Sequence, residues 1–275
     1  KAATSKDRRK QPFSDELAKP RAFAFKNSYM TYVLNNYIIP GKSTYEPIVK
    51  EKAEESFEEY VVRKIDTYRN WTVASLCNTF HIEYQKKPKS LEAMLAYRIL
   101  GIKGNHAEEF EKANVVVKTI RIEKNNKIKE NMSFPNFKFK ELVEESWDDS
   151  TFGNYLRETR FLFVVYKFDQ DNELRLKGCQ FWNIPYGDLE GYVKSVWEKT
   201  QKVLRDGLRI EKRNGKNYNN FPKASENPVC HVRPHAQNVK DTYELPDGRQ
   251  YPKQCFWLKN SYILSQLNKN FLEDI

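Results

Sequence analysis

Phe161-Leu162-Phe163-Val164-Val165-Tyr166 is the longest strongly apolar run in this chain. It is far too short to cross a bilayer, which takes ~20 apolar residues in a helix. Such a run leaves neither face of a strand for water, so Arg160 to Phe168 is predicted to be a strand buried in a sheet. Around it the apolar residues alternate with period two. Val115 to Ile122 and Met132 to Phe139 read as strands, and so does Leu174 to Ile184, beyond the turn-like Asp169-Gln170-Asp171-Asn172. Shorter strands are expected near Leu208–Lys212, Val229–Arg233 and Cys255–Leu258. Before Val115 the spacing is helical. Helices are expected from about Asn27 to Tyr37, ended by Pro40-Gly41, and from about Glu54 to Thr67. Thr72 and Ser90 are expected to cap two more. A long amphipathic helix follows Asp188 and stops at Gly207, and a last one lies near Tyr262–Leu267. Helices first, then a mixed sheet backed by one long helix, is an α/β arrangement.

The chain has 275 residues, with 47 Lys and Arg against 37 Asp and Glu, a net charge of +10. Aromatic residues make up 14%, enough apolar surface to argue against disorder. No signal peptide or membrane span is read, and Lys1 in the place of an initiator Met reads as a fragment or a processed product. Cys77, Cys179, Cys230 and Cys255 include no Cys-x-x-Cys, so a reducing, cytoplasmic setting is expected. Cys230-His231 with His235 offers half of a zinc site, but no second half has ligand spacing, and a buried thiol on a strand is the better reading.

An internal echo sets the domain plan. Phe23-Ala24-Phe25-Lys26-Asn27-Ser28-Tyr29-Met30 matches Phe256-Trp257-Leu258-Lys259-Asn260-Ser261-Tyr262-Ile263. Upstream, Lys1-Ala2-Ala3-Thr4-Ser5-Lys6-Asp7 echoes His235-Ala236-Gln237-Asn238-Val239-Lys240-Asp241, and one small indel aligns both. Residues 1–40 are therefore read as the tail of a preceding copy plus a linker, and residues 41–275 as one domain.

The strand Asn114-Val115-Val116-Val117-Lys118-Thr119-Ile120 carries the chemistry. Metal-dependent nucleases place a carboxylate and a lysine two residues apart on a strand, so that both side chains share a face. The carboxylate holds Mg²⁺ beside the scissile phosphate, and a second acid upstream completes the site. Here Lys118 is present, but its same-face partner is Val116, which cannot ligate a hard cation. Glu109 could stand as the upstream acid. One carboxylate and one lysine make a poor magnesium site.

Three blocks resemble the MutH family of GATC-specific endonucleases, and within it the C-terminal half of Sau-type type II restriction endonucleases. Ile99-Leu100-Gly101 through Asn114-Val115-Val116-Val117-Lys118-Thr119-Ile120 resembles the family's L-G … G-V-E-L-K-T-I block. Val232-Arg233-Pro234-His235-Ala236-Gln237-Asn238-Val239-Lys240 resembles I-R-P-K-A-x-N-x-K, and Phe256-Trp257-Leu258-Lys259-Asn260 resembles F-Y-L-K-K. Arg8-Arg9-Lys10-Gln11-Pro12-Phe13-Ser14-Asp15 and Arg21-Ala22-Phe23 resemble the segment that joins the two halves. The resemblance implies a restriction-endonuclease-like mixed sheet flanked by helices, with two DNA-clamping arms. It places the family's catalytic positions at Tyr97, Glu109, Val116 and Lys118, with a further lysine near Arg157, so two of three acids are lost. It further implies a degenerate half that binds a second GATC site and stimulates an N-terminal catalytic half, which would use Mg²⁺. For this chain no catalytic residue, metal or cofactor is expected. The expected partners are double-stranded DNA and that N-terminal domain, with no membrane.

Candidate DNA contacts follow from charge and amide chemistry. Lys124, Lys127, Lys129 and Asn131 lie in a basic, Asn-rich connection between two strands, and Lys212, Arg213 and Lys216 lie in a second. Arg233 is the leading base reader, because arginine can bond guanine O6 and N7 together, and Gln237 and Asn238 could do likewise for adenine. The resemblance adds Lys89, His235, Lys240 and Trp257; His235 replaces a family lysine, and Trp257 a tyrosine that senses adenine methylation. Two other readings stand beside this one: a divergent Mg²⁺ nuclease using Glu109, Lys118 and a further acid such as Glu158, and a structural or dimerisation module.

Overall fold

A computed structural model describes residues 8–12, 14–18, 23–39, 41, 45–50, 54–83, 88, 90–213 and 216–273. The chain opens with the hairpin β1 (Arg9–Gln11) and β2 (Ser14–Ala18), within the segment read as a linker. Helix α1 (Asn27–Val33) runs on into a π-helical turn, Leu34–Ile38. Four helices follow: α2 (Phe57–Asp66), α3 (Val73–Thr79), α4 (Leu91–Ile99) and α5 (Glu108–Ala113). Next come β3 (Val115–Ile122), β4 (Met132–Phe137), α6 (Phe139–Glu144), α7 (Thr151–Glu158), β5 (Arg160–Phe168) and β6 (Leu174–Trp182). The long helix is α8 (Tyr186–Asp188), a π-helical turn Leu189–Val193 and α9 (Lys194–Asp206). The chain closes with β7 (Ile210–Arg213), β8 (Lys216–Asn219), β9 (Cys230–Pro234), β10 (Thr242–Glu244), β11 (Gln250–Pro252), β12 (Gln254–Leu258) and α10 (Asn260–Gln266).

The buried strand is where the sequence puts it, and its period of two divides the interior. Phe161, Phe163 and Val165 face one core, shared with α9, β9 and β12, through Val196, Trp197, Cys230 and Phe256. Leu162, Val164 and Tyr166 face a second, built from α2, α3 and α4 through Val61, Ile65, Leu76 and Leu95. Each fully buried aliphatic or Phe side chain contributes ~1.5–3 kcal/mol. Tyr166 satisfies its hydroxyl by donating to the Glu92 carbonyl at 2.9 Å, which ties β5 to α4.

One expected mixed sheet is two sheets. β3 pairs parallel with β5, and β5 antiparallel with β6. β4 leaves that sheet and pairs with β12, which in turn pairs with β9. Ile122 and Ile128 form an isolated bridge, after which the chain turns away. The alternation explains the choice, since Met132 and Phe134 enter the same core as Phe256 and Leu258. β4 also stops at Phe137, because Phe139 is buried at the start of α6. In β6, Lys177 is bulged out beside Gly178, which sits at φ 126° with the Asp66 carboxylate where a Cβ would be.

Helix ends follow their caps. Helix α2 starts three residues later than expected, because Ser56 and Glu59 form a reciprocal capping box. Thr72 caps α3 by accepting the Ser75 N–H at 3.0 Å. Ser90 occupies the cap position of α4 but makes no capping bond. Among the described residues no helix is long and apolar enough to cross a membrane.

Phe163 is buried and stacks on Trp182 with ring centroids 5.0 Å apart. Phe163→Ala is expected to cost ~3–5 kcal/mol, read as a lowered denaturation midpoint with an unchanged slope.

Candidate nucleic-acid interface

β3 and β4 diverge around a cleft of about 490 Å³. Lys118 projects from the β3 face that carries Val116 and Ile120, and it is not the solvated lysine that a strand position suggests. Its ammonium donates to the Ser133 carbonyl at 3.3 Å and lies 5.8 Å from the Phe134 ring. Burial holds its pKa below the usual lysine range, while the neighbouring Cys255 pulls weakly the other way. Cys255 is itself buried, and burial pushes its thiol up to about 11.

The other positions to which the resemblance points do not come together as a site. Val116 packs against the first core. The Glu109 carboxylate accepts the backbone N–H groups of Ile48 and Val49, each at 2.9 Å. Tyr97 packs against the helical core, 6.2 Å from Phe110, and burial raises its phenol pKa. Glu158 is exposed at the end of α7, and neither it nor Glu109 lines the cleft. Arg157 stacks 5.0 Å from Trp147 and pairs with Glu190 at 3.0 Å. Among the described residues no three His, Cys, Asp or Glu side chains are grouped to hold a metal ion. This donor set does not fit magnesium, which takes hard oxygen ligands in octahedral array.

Charge in the cleft is balanced. Lys118, Arg121 and Lys129 line it together with Glu92, Glu123 and Glu130. Arg121 pairs with Glu92 at 2.6 Å, and Lys129 with Glu123 at 3.0 Å. Lys129 is 75% exposed in that pair, and exposed pairs contribute only ~0–1 kcal/mol, so a phosphate can displace the carboxylate. Lys127 is exposed on a tight turn, whose Asn126 sits at φ 57°. Lys124 instead reaches the Gln170 carbonyl at 2.6 Å. Asn131 is no free base reader. Its side-chain oxygen accepts the Asn260 N–H at 2.9 Å and anchors the start of α10.

The second sheet assembles the Arg-Pro-His block. Trp257 on β12 is half-buried, flanked by Ser133 on β4 and His231 on β9. Arg233 is exposed, with its guanidinium 5.7 Å from the Trp257 ring, and its carbonyl accepts the indole N–H at 3.4 Å. His235 stands edge-on to the same ring at 5.4 Å and shares a 3.1 Å hydrogen bond with the Asn136 side-chain oxygen. Asn136 is a residue that sequence reasoning missed, since nothing local marks a partner 99 positions away. Beyond the block, Gln237 and Lys240 are exposed. Asn238 spends its side-chain oxygen on the Lys240 N–H at 2.9 Å in a turn. Lys212 is exposed on β7. Arg213 and Lys216 lie on the β7–β8 hairpin, but their side chains are outside the described residues, and so is Lys89.

The half-site for zinc does not assemble as a ligand cluster. Cys230 points into the first core, while the next residue, His231, points to the opposite face. His231 is shut off from solvent with neither ring nitrogen hydrogen-bonded. Desolvation lowers its pKa to about 4, assisted by the charges of Arg233 and Lys259.

No protein-family model matches the chain. It is similar to the type II restriction enzyme Sau3AI of Staphylococcus aureus, at 38% identity over a 310-residue alignment that takes in 97% of this chain. The chain spans 63% of that relative's length.

His231 supplies an acid-stability prediction. Its pKa is about 4 folded, against an ordinary 6.5. Between these values the unfolded chain binds more protons, so stability rises with pH across the window and is lost as pH falls through it. His231→Leu should flatten this part of the acid limb, worth up to ~3 kcal/mol, in denaturation curves taken from pH 4 to 6.5.

Proposed function

We propose that this chain binds double-stranded DNA sequence-specifically, reading GATC, and serves as the allosteric effector unit of a type II restriction endonuclease without cutting DNA itself. In this reading residues 1–40 close a preceding catalytic unit of the same polypeptide, which would carry the Mg²⁺ chemistry in the cytoplasm. Similarity to a restriction enzyme supports the DNA-binding role. The loss of the acids carries the non-catalytic part. Val116 offers no ligand, and the Glu109 carboxylate is engaged by two backbone N–H groups. With those oxygens unavailable, Lys118 has no metal-bound water to act on.

Binding would rest on the second sheet and the turn before β4. The balanced cleft leaves the phosphate contacts to exposed cations such as Lys127 and Lys240, joined by Lys129 where a phosphate displaces Glu123 from its exposed pair. Arg233 is held in place by Trp257, so little conformational freedom is lost when its fork meets a guanine edge. An effect on a catalytic unit requires that DNA bind two conformations of the whole protein with different affinity.

A titration at controlled salt, without metal, against GATC and scrambled duplexes tests the reading. Preference for GATC is expected, whereas equal affinity would leave a structural module. Mg²⁺-dependent plasmid cleavage by this chain, abolished in Lys118→Ala, would make it a nuclease instead. Arg233→Ala should cost ~1–3 kcal/mol on GATC and relax specificity. Lys127→Ala should weaken all duplexes alike and reduce the salt slope by about one.

A further inference from the structure

Three contacts hold His235, and together they leave one of its polar atoms for a partner outside the chain. Its backbone N–H donates to the Lys253 carbonyl at 2.9 Å, just past the end of β9. Its ring stands at 83° to the Trp257 indole, with centroids 5.4 Å apart. Its Nδ1 lies 3.1 Å from Oδ1 of Asn136. Asn136 reaches it along one row of the second sheet, since Asn136 on β4 pairs with Cys255 on β12, and Cys255 with Arg233 on β9. His235 is exposed, and its Nε2 has no hydrogen-bond partner among the described residues.

The contact with Asn136 decides what Nε2 can do. A carbonyl oxygen only accepts, so the proton of the neutral imidazole sits on Nδ1. Nε2 then presents a lone pair and no hydrogen. Arg233, two residues earlier, presents the opposite chemistry, because a guanidinium has N–H donors and no acceptor. Both side chains sit against the Trp257 ring, the guanidinium 5.7 Å from its centroid and the imidazole at its edge. A donor fork and a lone acceptor are thus set side by side before any ligand arrives.

The four bases divide on this point in the major groove. Guanine presents the acceptors N7 and O6, and thymine the acceptor O4, whereas adenine and cytosine each present an amino group, N6 or N4. A lone pair aimed at guanine or thymine meets another lone pair. Aimed at an exocyclic amine, it accepts a hydrogen bond.

We infer that His235 is a base reader that accepts a hydrogen bond at Nε2 from the exocyclic amino group of adenine or cytosine, and that Asn136 is the positioning residue that sets its tautomer. This rests on the proposed DNA-binding reading and adds to it the hydrogen-bonding class of one base.

Binding titrations of this chain at fixed salt and mildly alkaline pH, without metal, test it on duplexes with one altered base. Purine in place of adenine removes the 6-amino group, 2-pyrimidinone in place of cytosine removes the 4-amino group, and 7-deazaguanine removes the N7 acceptor of guanine. Each duplex is measured with the wild type and with His235→Ala, so that effects on base pairing cancel. One amine-free duplex should bind the wild type ~3–10-fold more weakly than its parent, the range of one neutral hydrogen bond. His235→Ala should lack that loss, and the arm that shows it identifies the base. Asn136→Leu should abolish the discrimination. Asn136→Asp should keep it, because a carboxylate also only accepts, and its failure to do so decides against Asn136 even if Asn136→Leu does not fold. Equal losses in the wild type and His235→Ala on both amine-free duplexes, with GATC still preferred over a scrambled duplex, would overturn the inference and leave the proposed function standing. No preference for GATC would overturn both. A His235-dependent loss confined to 7-deazaguanine would make Nε2 a donor and overturn the inference, as would full discrimination in a folded Asn136→Leu.

Discussion

Six consecutive apolar residues in β5 leave the fold little choice. Because side chains alternate across a strand, the run needs apolar partners on both faces at once. Helices α2–α4 meet one face, while α9 and the second sheet meet the other. β3 lies beside β5 in the parallel register Val116↔Phe161 and Lys118↔Phe163, so the position of Lys118 is fixed by the burial of its neighbours. A one-residue slip would turn Lys118 toward the helical core, and charge burial of that kind is too costly to persist. The candidate site is thus a consequence of the central strand.

Elements set by local period were legible in the sequence. β3 and β5 match their expected bounds, and the long helix ends at Gly207 as expected. The start of α2 was legible too, in the Ser56-x-x-Glu59 capping box, a signal that apolar periodicity overlooks. The second sheet was not legible. β4 and β12 are about 120 positions apart in sequence, and nothing in either strand names the other. The same limit governs the site. An Asn next to basic residues looks like a groove reader, yet Asn131 is held by a backbone N–H 129 positions away. Glu109 looks like a metal acid, yet its oxygens go to amides some 60 positions upstream. Residue type reports what a side chain can do, and the tertiary partner decides which of those it does.

Net charge is a similarly coarse guide. The surplus of cations does not collect in the cleft, where three carboxylates match three cations. What distinguishes the second sheet is organisation. Trp257 holds Arg233 over its ring and His235 at its edge, and Asn136 holds the imidazole from the next strand. A side chain held this way gives up less freedom on binding than one that searches from open solvent.

Lys118 connects these observations. Its neighbour on the same strand face is Val116, and the Glu109 carboxylate is engaged by backbone amides, so neither gives the ammonium a partner. Lys118 performs a structural task. Its ammonium crosses from β3 to the Ser133 carbonyl on β4, and the contact with the Phe134 ring partly offsets its desolvation. Lys118 is therefore a clasp between the two sheets, at the line where they diverge. The β4 side of that line carries Ser133, paired with Trp257, and so leads to Arg233. The β3 side begins where Lys26 of α1 grips the Ala113 carbonyl. The Lys118 hydrogen bond thus joins β4, whose Ser133 pairs with Trp257, to β3, whose head Lys26 grips, and it does so with no metal in its geometry.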